Sequence, residues 1–300
     1  MKNNRQKIGD PGINWAEAAL GIGKNRRKTI GFGQYSKKTK EYEDEFYIRE
    51  MSIIDAGIGC ALWDAAIILT RYIYEFGDQV FANRNVMELG AGVALCGICA
   101  SRFASKCYIT DLPHLIDNME YNLKTNSYFD DTDENTKCKS EKIKKYKQQM
   151  QQSGKVMELD WYKIYDEIPK ALHQIANGET PCMEVPEKCE IIIGSELTYT
   201  GDEQTVEALM KVIDTFLDEK GVFLEILSDD RDGVSYFVDQ ITNPERYNYV
   251  LRSFRVHSRY MGNFGTGQRE ETYKFYVLTR KENEEGDLFL KMCETMKNDL

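Results

Sequence analysis

The chain has 300 residues, of which 42% are hydrophobic and 29% charged, a composition typical of a soluble globular protein. No apolar run approaches the ~20 residues of a membrane span, and the polar start lacks a secretory signal, so we expect a cytoplasmic protein, with the nucleus as the alternative. The net charge of −10 argues against nucleic acid as the main partner and favours a basic protein or peptide.

The eight cysteines are irregularly spaced, which argues against a disulfide framework. Cys96 and Cys99 form one CxxC, but no second ligand pair is spaced for zinc, and the three histidines are scattered. We therefore expect two small buried residues on one helix face and no metal site.

The N-terminal part of the chain changes character near residue 45. Residues 1–45 are polar and rich in Gly and Lys, which predicts a partly disordered extension. Residues 46–54 are typical of a short strand or hairpin arm. Residues 57–76 carry apolar side chains at three- and four-residue spacing, which predicts an amphipathic helix with Trp63 beside its apolar stripe.

From residue 85 onward, apolar strands alternate with helical patterns. Strands are predicted at 85–89, 107–111, 156–161, 189–199 and 221–227, and a final antiparallel pair at 249–258 and 273–281. Helices are predicted at 93–105, 112–126, 202–219 and 234–241. This order predicts an α/β fold, in which an open, mostly parallel sheet has helices on both faces and the C-terminal antiparallel pair closes it.

The alternation of predicted strands and helices defines the limits of the predicted domain. We expect one domain over 46–281, with polar surface insertions at 127–155 and 165–188, and a helical tail over 282–300.

The motif MELGAGVA places an acid at the end of the first parallel strand and glycines in the following turn. Gly90 and Gly92 allow the backbone to approach a ligand closely. The dinucleotide motif would need a third glycine where Leu95 stands, and no P-loop lysine follows. Glu88 disfavours a diphosphate, whereas Asp111, about 20 residues further on, is placed for a ribose. The pattern therefore favours a cationic nucleoside without phosphate, such as S-adenosylmethionine.

Five blocks then occur in a familiar order: GIGCALWDAAIIL, MELGAGVALCGICAS, ITDLPHLIDNMEYNLKTN, ELDW and IIIGSELTY. Over about residues 50–281 the chain resembles the seven-β-strand lysine methyltransferases of family 16, relatives of enzymes that methylate chaperones and elongation factors. The resemblance implies a Rossmann-like seven-stranded sheet, S-adenosyl-L-methionine as cofactor, and methyl transfer to a lysine of a non-histone protein. The oligomeric state stays open, with a monomer favoured.

The resemblance also implies roles for individual residues. The glycine loop with Glu88 would hold the cofactor near its amino end, Asp111 would bind the ribose, and Trp161 with Asp160 would flank the adenine. The full cofactor-binding set is Trp63, Glu88, Gly90, Gly92, Asp111, Asp160, Trp161 and Ser195. Glu196 and Tyr199, in the family's acidic-x-x-Tyr motif, would orient the target amine and line the lysine channel. Two departures are Ala94, where many relatives have glycine, and the 127–155 insertion.

Several alternatives stay open. Each tryptophan could be structural, Asp111 a helix cap, Glu88 a solvated acid, and the Glu196–Tyr199 segment an ordinary surface turn. The acceptor could be histidine, arginine or a small molecule, and a non-catalytic interaction module could keep the same fold. The segment lacks the Asn/Asp-Pro-Pro-Tyr motif of amide and base methyltransferases, which disfavours a nucleic-acid substrate.

Overall fold

The computed structural model describes residues 6–7, 26–37, 39–52, 57–133, 138–199, 202–229, 231–261 and 273–297. The predicted glycine-rich loop between the last two strands lies outside these residues, as does most of the segment before residue 26. A small sheet near the N-terminus contains β1 (Gln6–Lys7), β2 (Arg26–Ser36) and β3 (Glu41–Glu50).

The main sheet has seven strands in the described residues, in the order β6-β5-β4-β7-β8-β10-β9. They are β4 (Asn85–Glu88), β5 (Lys106–Asp111), β6 (Gly154–Glu158), β7 (Cys189–Ser195), β8 (Leu217–Ser228), β9 (Tyr249–Arg255) and β10 (Tyr273–Arg280). The first five of these strands pair in parallel, and β10 pairs antiparallel with both β8 and β9. The predicted α/β sheet with a C-terminal antiparallel pair is confirmed.

Helices connect the strands. They are α1 (Asp64–Phe76), α2 (Leu95–Ala100), α3 (Ile116–Ser127), α4 (Glu141–Ser153), α5 (Glu167–Ala176), α6 (Glu203–Phe216), α7 (Gly233–Thr242), α8 (Ser258–Met261) and α9 (Asp287–Lys297). Short 3-10 turns cover Ile58–Cys60, Pro113–Leu115, Trp161–Tyr165 and Lys281–Asn283, and a π turn covers Gly77–Phe81. Among the helices of the described ranges, none is both long enough and apolar enough for a membrane span.

The sheet is buried on both faces, because successive strand residues point to opposite sides. Ile191 and Ile193 of β7 pack into the apolar cluster that includes α1, α2 and α9, whereas Ile192 packs into the cluster with α6 and α7. This explains the uninterrupted apolar run that predicted a buried strand.

The N-terminal hairpin differs from the predicted boundary at residue 45. β2 and β3 pair antiparallel across it, with Ile30 opposite Phe46 and both side chains buried. Asp44 of the hairpin forms a buried ion pair with Arg102, whose guanidinium lies 4.0 Å from the ring centroid of Phe46. Ile30, Phe32 and Asp44 are therefore buried in the fold, although the composition of their segment is polar.

Side-chain amides of α3 attach β3 to the rest of the domain. The Tyr47 and Arg49 amides each donate at 2.8 Å to an asparagine side chain of α3, and the same asparagines donate back to the Tyr47 and Arg49 carbonyls. One of these amides also donates to the Val93 carbonyl at 3.0 Å. The asparagines, spaced four residues apart on one helix face, are Asn118, Asn122 and Asn126.

Both predicted insertions contain a helix. In the first, α4 buries Ile143 and Met150. Its lysine- and glutamine-rich sequence therefore forms an amphipathic helix. In the second, α5 buries Ile168 and Ala171. The predicted C-terminal tail likewise forms α9, with Phe289 in the core.

Candidate functional site

The predicted site residues gather where the parallel strands end. β4 ends at Glu88, β5 at Asp111, β6 at Glu158 and β7 at Ser195, and parallel pairing brings these carboxyl ends to one edge of the sheet. In open α/β sheets this edge is where ligands bind.

The glycine turn, defined as residues 89–94, has a backbone that excludes side chains. Gly90 and Gly92 have φ of 57° and 56°, in the left-handed region that favours glycine. A Cβ on Gly92 would lie 2.6 Å from the Gly59 carbonyl oxygen, and one on Gly90 would lie 2.8 Å from Leu197 Cδ2. Both glycines are therefore closely packed against other parts of the chain, in front of the N-terminus of α2.

Asp111 closes this turn from the neighbouring strand. Its Oδ2 accepts a hydrogen bond from the Gly92 amide and its Oδ1 one from the Leu112 amide, both at 2.7 Å. A carboxylate has about four acceptor positions, so two remain for the hydroxyls of a ligand. Burial raises the pKa of Asp111, against the two backbone hydrogen bonds that lower it. Asp111 does more than cap the following helix, because it also holds the glycine turn through the Gly92 amide.

Glu88 lies beneath the turn and is buried, which excludes the solvated-acid alternative. Its Oε2 accepts from the amide of Gly97, in the first turn of α2, at 2.7 Å. Burial raises the pKa of Glu88 to about 8, while hydrogen bonds from the Gly97 amide and the Cys96 thiol oppose that shift. The structure thus shows Glu88 as a support for the loop, and its predicted contact with a cofactor amine stays a prediction.

Cys96 and Cys99 are both buried on α2, as predicted for the CxxC. Their thiols lie near the Ala66 and Thr70 carbonyls of α1. Within the described ranges, no cluster of His, Cys, Asp and Glu has the arrangement of a metal site.

Trp161 and Trp63, the two tryptophans predicted to bind the cofactor, have different surroundings. The ring of Trp161 is half-buried, and its Cζ2 lies 3.5 Å from the position of a Cβ on Gly90. Asp160 caps the short helix that begins at Trp161, accepting from the Tyr162 amide at 3.0 Å. Trp63 is 36% exposed and donates its ring N–H to the Ile58 carbonyl at 3.2 Å, so it is no core residue.

The Glu196 turn, defined as residues 195–199, follows β7. Ser195 is half-buried and pairs with β8, and Glu196 has a φ of 58°, which costs a non-glycine residue about 1–2 kcal/mol. Glu196 is only 8% exposed. Its Oε1 accepts from the Ser228 amide at 3.1 Å, and its Oε2 pairs with Arg231 Nε at 2.5 Å. Because its carboxylate is buried and paired, the Glu196 turn is not an ordinary surface turn.

A second acid, Glu225, is in contact with the Glu196 turn. Glu225 of β8 is fully buried, and its Oε1 accepts from the Leu197 amide at 3.0 Å. Its Oε2 has no partner among the described residues. Burial raises the pKa of Glu225 well above its ordinary value, and the nearby Glu196 adds to this shift. Because Leu197 also packs against Gly90, it connects the two turns.

Tyr199 is 45% exposed at the open end of the Glu196 turn. Partial burial raises its pKa, and the charge of Asp111 raises it further. The hydroxyl therefore lies within electrostatic reach of the acid that closes the glycine turn, and it stays protonated at neutral pH.

Three residues of this site escaped the sequence analysis: Leu197, Glu225 and Arg231. Glu225 gave a signal, since it is the one acid within the apolar run GVFLEIL. Arg231 gave none, because it follows β8 in a polar segment and meets Glu196 only through the fold.

Comparison with known proteins identifies the first part of this site. Residues 41–130, which contain Trp63, the glycine turn and Asp111, match the model of the family described as lysine methyltransferase. The predicted resemblance is confirmed over this segment. Trp161 and the Glu196 turn lie beyond it.

Three curated relatives show similarity to the chain. Protein-lysine methyltransferase METTL21E of Mus musculus is 34% identical over 70 residues, which are 23% of this chain and 29% of the relative. EEF1A lysine methyltransferase 3 of Xenopus tropicalis is 36% identical over 70 residues, 23% of this chain and 31% of the relative. Histone-arginine methyltransferase METTL23 of Xenopus laevis is 27% identical over 111 residues, 35% of this chain and 47% of the relative. The chain thus matches less than half the length of each.

Among solved structures, a ribosomal protein L11 methylase from Lactobacillus delbrueckii subsp. bulgaricus covers 71% of this chain and 77% of its own, with 12% identity and a TM-score of 0.40. A likeness this distant carries no functional conclusion.

Proposed function

We propose that the protein is an S-adenosylmethionine-dependent protein methyltransferase whose acceptor is a lysine side chain. The observation that carries this proposal is the glycine turn, whose left-handed Gly90 and Gly92 have no room for a Cβ, together with the acid that closes it. The match of residues 41–130 to the lysine methyltransferase family supports the same function.

The residues present fit the proposed cofactor. Gly90 and Gly92 hold the turn in a left-handed backbone with no side chain at either position, and Asp111, fixed by two backbone amides, is placed to bind ribose hydroxyls. Trp161 presents a half-buried ring beside Gly90 for a planar base. When bound, S-adenosylmethionine supplies a methyl group on a sulfonium, and an amine nitrogen takes that methyl as the carbon–sulfur bond breaks.

The chain's own residues position the acceptor. An ammonium has no lone pair, so the target amine must lose its proton before transfer. Glu196, which is fixed by its bonds to the Ser228 amide and Arg231, would orient the amine through an N–H. Tyr199 offers an exposed ring and hydroxyl to the aliphatic stem of the side chain. This arrangement aligns the nitrogen without a covalent intermediate.

A protein substrate fits the charge of the molecule. The net charge of −10 attracts basic, lysine-bearing surfaces and repels nucleic acid. Arginine is the second candidate acceptor, because one of the similar relatives bears the name of a histone-arginine methyltransferase.

The function is tested in two steps. Calorimetric titration with S-adenosylhomocysteine should show micromolar binding, and a labelled-methyl assay on cell lysate should then label protein at lysine, as amino-acid analysis of the product would show. Labelled arginine would favour the second candidate. A folded protein that binds neither form of the cofactor would contradict the proposal and favour an interaction module.

A further inference from the structure

This inference rests on the proposed function and concerns the loop that precedes α1. The Trp63 loop, defined as residues 57–63, lies against the glycine turn, because the Gly59 carbonyl oxygen would be 2.6 Å from a Cβ on Gly92. The amide of the same Gly92 donates to Asp111. Two contacts therefore hold the glycine turn at Gly92, one with Asp111 and one with the Trp63 loop.

The Trp63 loop is attached to the end of β3. The Leu62 amide donates to Glu50 Oε1 at 2.8 Å, and the Met51 amide donates to the Cys60 carbonyl at 3.2 Å. Glu50 is the last residue of β3, and both it and Leu62 are buried. A buried backbone amide without an acceptor costs free energy, so the position of the loop depends on Glu50.

A lysine of the neighbouring strand fixes the Glu50 side chain. Lys28 Nζ, from β2, donates to the same Oε1 atom at 2.7 Å, and the Lys28 side chain is only 15% exposed. Hydrogen bonds between charged partners are among the stronger ones in proteins. One oxygen atom thus joins β2, β3 and the Trp63 loop. Lys28 precedes the segment 41–130 that matches the lysine methyltransferase family, so this contact includes a residue beyond that match.

We propose that Glu50 is a positioning residue for the cofactor, which holds the Trp63 loop against the glycine turn while Lys28 fixes its carboxylate. Glu50 acts through the Leu62 amide, next to Trp63, which is itself predicted to bind the cofactor. The N-terminal hairpin of β2 and β3 thereby supports the cofactor site. Without the acceptor at Glu50 the loop would shift from Gly92, and the cofactor would bind more weakly.

Calorimetric titration of the full-length protein with S-adenosylhomocysteine tests this role. Glu50→Ala should weaken binding about tenfold, because the Leu62 amide loses its acceptor. Glu50→Gln keeps an acceptor oxygen and should bind within about twofold of the parent protein. An unchanged affinity in Glu50→Ala, or equal losses in the two variants, would overturn the proposal. Failure of the parent protein to bind would instead contradict the proposed function.

The matched control is Glu190→Ala. Glu190 Oε2 accepts from the Asn85 amide at 2.9 Å, at the amino ends of β7 and β4, which is the sheet edge opposite the site. This variant also leaves one backbone amide without its acceptor, so it should lower the unfolding free energy but leave the affinity for S-adenosylhomocysteine unchanged. A loss of affinity comparable to that of Glu50→Ala would contradict the specific role of Glu50.

Hydrogen exchange measured by mass spectrometry separates positioning from stability. In the protein without S-adenosylhomocysteine, deuterium uptake over residues 57–63 should rise in Glu50→Ala and stay at the parent level in Glu190→Ala. Lys28→Met removes only the ammonium that fixes the carboxylate, and it should weaken binding about threefold with a smaller rise in uptake. If Glu50→Ala does not fold, an unchanged affinity and uptake in Lys28→Met would overturn the proposal.

Discussion

The glycine turn and the Glu196 turn both place backbone in the left-handed region, but they tolerate it by different means. The first uses glycines, which carry no Cβ to strain, at Gly90 and Gly92. The second uses Glu196, and hydrogen bonds from Ser228 and Arg231 to its side chain hold the unfavourable backbone in place. One turn packs a backbone without side chains against Gly59 and Leu197, and the other holds a fixed carboxylate.

Among the substitutions considered for the two turns, we expect the largest effect at Gly92. A methyl group there would meet the Gly59 carbonyl oxygen at 2.6 Å, so Gly92→Ala should cost about 3 kcal/mol in unfolding free energy and abolish S-adenosylhomocysteine binding. Urea unfolding and calorimetry would measure both. Gly178→Ala is the matched control, since Gly178 has a φ of 71° with no atom within 4 Å of an added Cβ. Gly178→Ala should cost only about 1 kcal/mol in unfolding free energy. Equal losses of unfolding free energy in the two variants would contradict the close contact between Gly92 and Gly59.

Alanine at Asp111 and at Glu196 should separate binding from turnover. Asp111→Ala leaves the buried Gly92 amide without its acceptor and removes the proposed ribose contact, so S-adenosylhomocysteine should bind about 10- to 100-fold more weakly. Glu196→Ala should keep binding within about twofold and lower the methylation rate about tenfold or more. Calorimetry and the labelled-methyl assay would show the split. Normal cofactor binding by Asp111→Ala would contradict the ribose assignment.

The buried acid beneath the glycine turn should make stability depend on pH. The pKa of Glu88 is raised to about 8 in the folded protein, above its ordinary value near 4.5, so the folded state retains the proton that the unfolded state loses. The contribution of Glu88 to stability is therefore complete below pH 4.5 and falls by at most about 1.4 kcal/mol per pH unit up to about pH 8.

Glu88→Gln isolates this effect, because the amide oxygen can still accept from the Gly97 amide. The unfolding free energy of the variant relative to the parent should rise between pH 5 and 8 and then level off. Urea unfolding of both proteins at intervals of one pH unit would check it. A difference that stays flat with pH would show that Glu88 is ionised in the fold.

The smallest expected effect is at Ala94, the one alanine in the glycine turn with a left-handed backbone, at a φ of 69°. Ala94→Gly should stabilise the protein by about 0.5–1 kcal/mol, because relief of the strain exceeds the added chain entropy. Thermal unfolding would measure it. Ala208→Gly, in the buried interior of α6, should instead destabilise by about 1 kcal/mol. A loss at Ala94 comparable to that at Ala208 would contradict the strain assignment.

Much of the sheet and the glycine turn could be predicted from sequence, because their signals are local. Ile191–Ile193 form a buried run, and the acids at 88 and 111 end the strands they belong to. The order of strands and helices then places those ends together. The replacement of a glycine by Ala94 could be read from the resemblance, but its left-handed φ, which makes the replacement strained, could not.

The rest could not be predicted, because it depends on contacts between distant segments. Arg231 and Glu196 are separated by 35 positions and share no periodic pattern. In the hairpin, Ile30 with Phe32 and Phe46 with Ile48 do alternate as buried strand residues, but the polar side chains around them dominate the composition. In α4 the buried residues are too few to stand out from the lysines and glutamines.

The asparagine side chains of α3 have a consequence for the solubility of the protein. β3 is an edge strand, and the exposed amides and carbonyls of an edge strand can pair with another chain. Here Asn122 and Asn126 occupy the groups of Arg49 and Tyr47. These two helix side chains therefore act as a protective cap against edge-to-edge aggregation. A chain that lost this cap, for example by replacement of Asn122 with leucine, would present an open strand edge, and light scattering would show the self-association that follows.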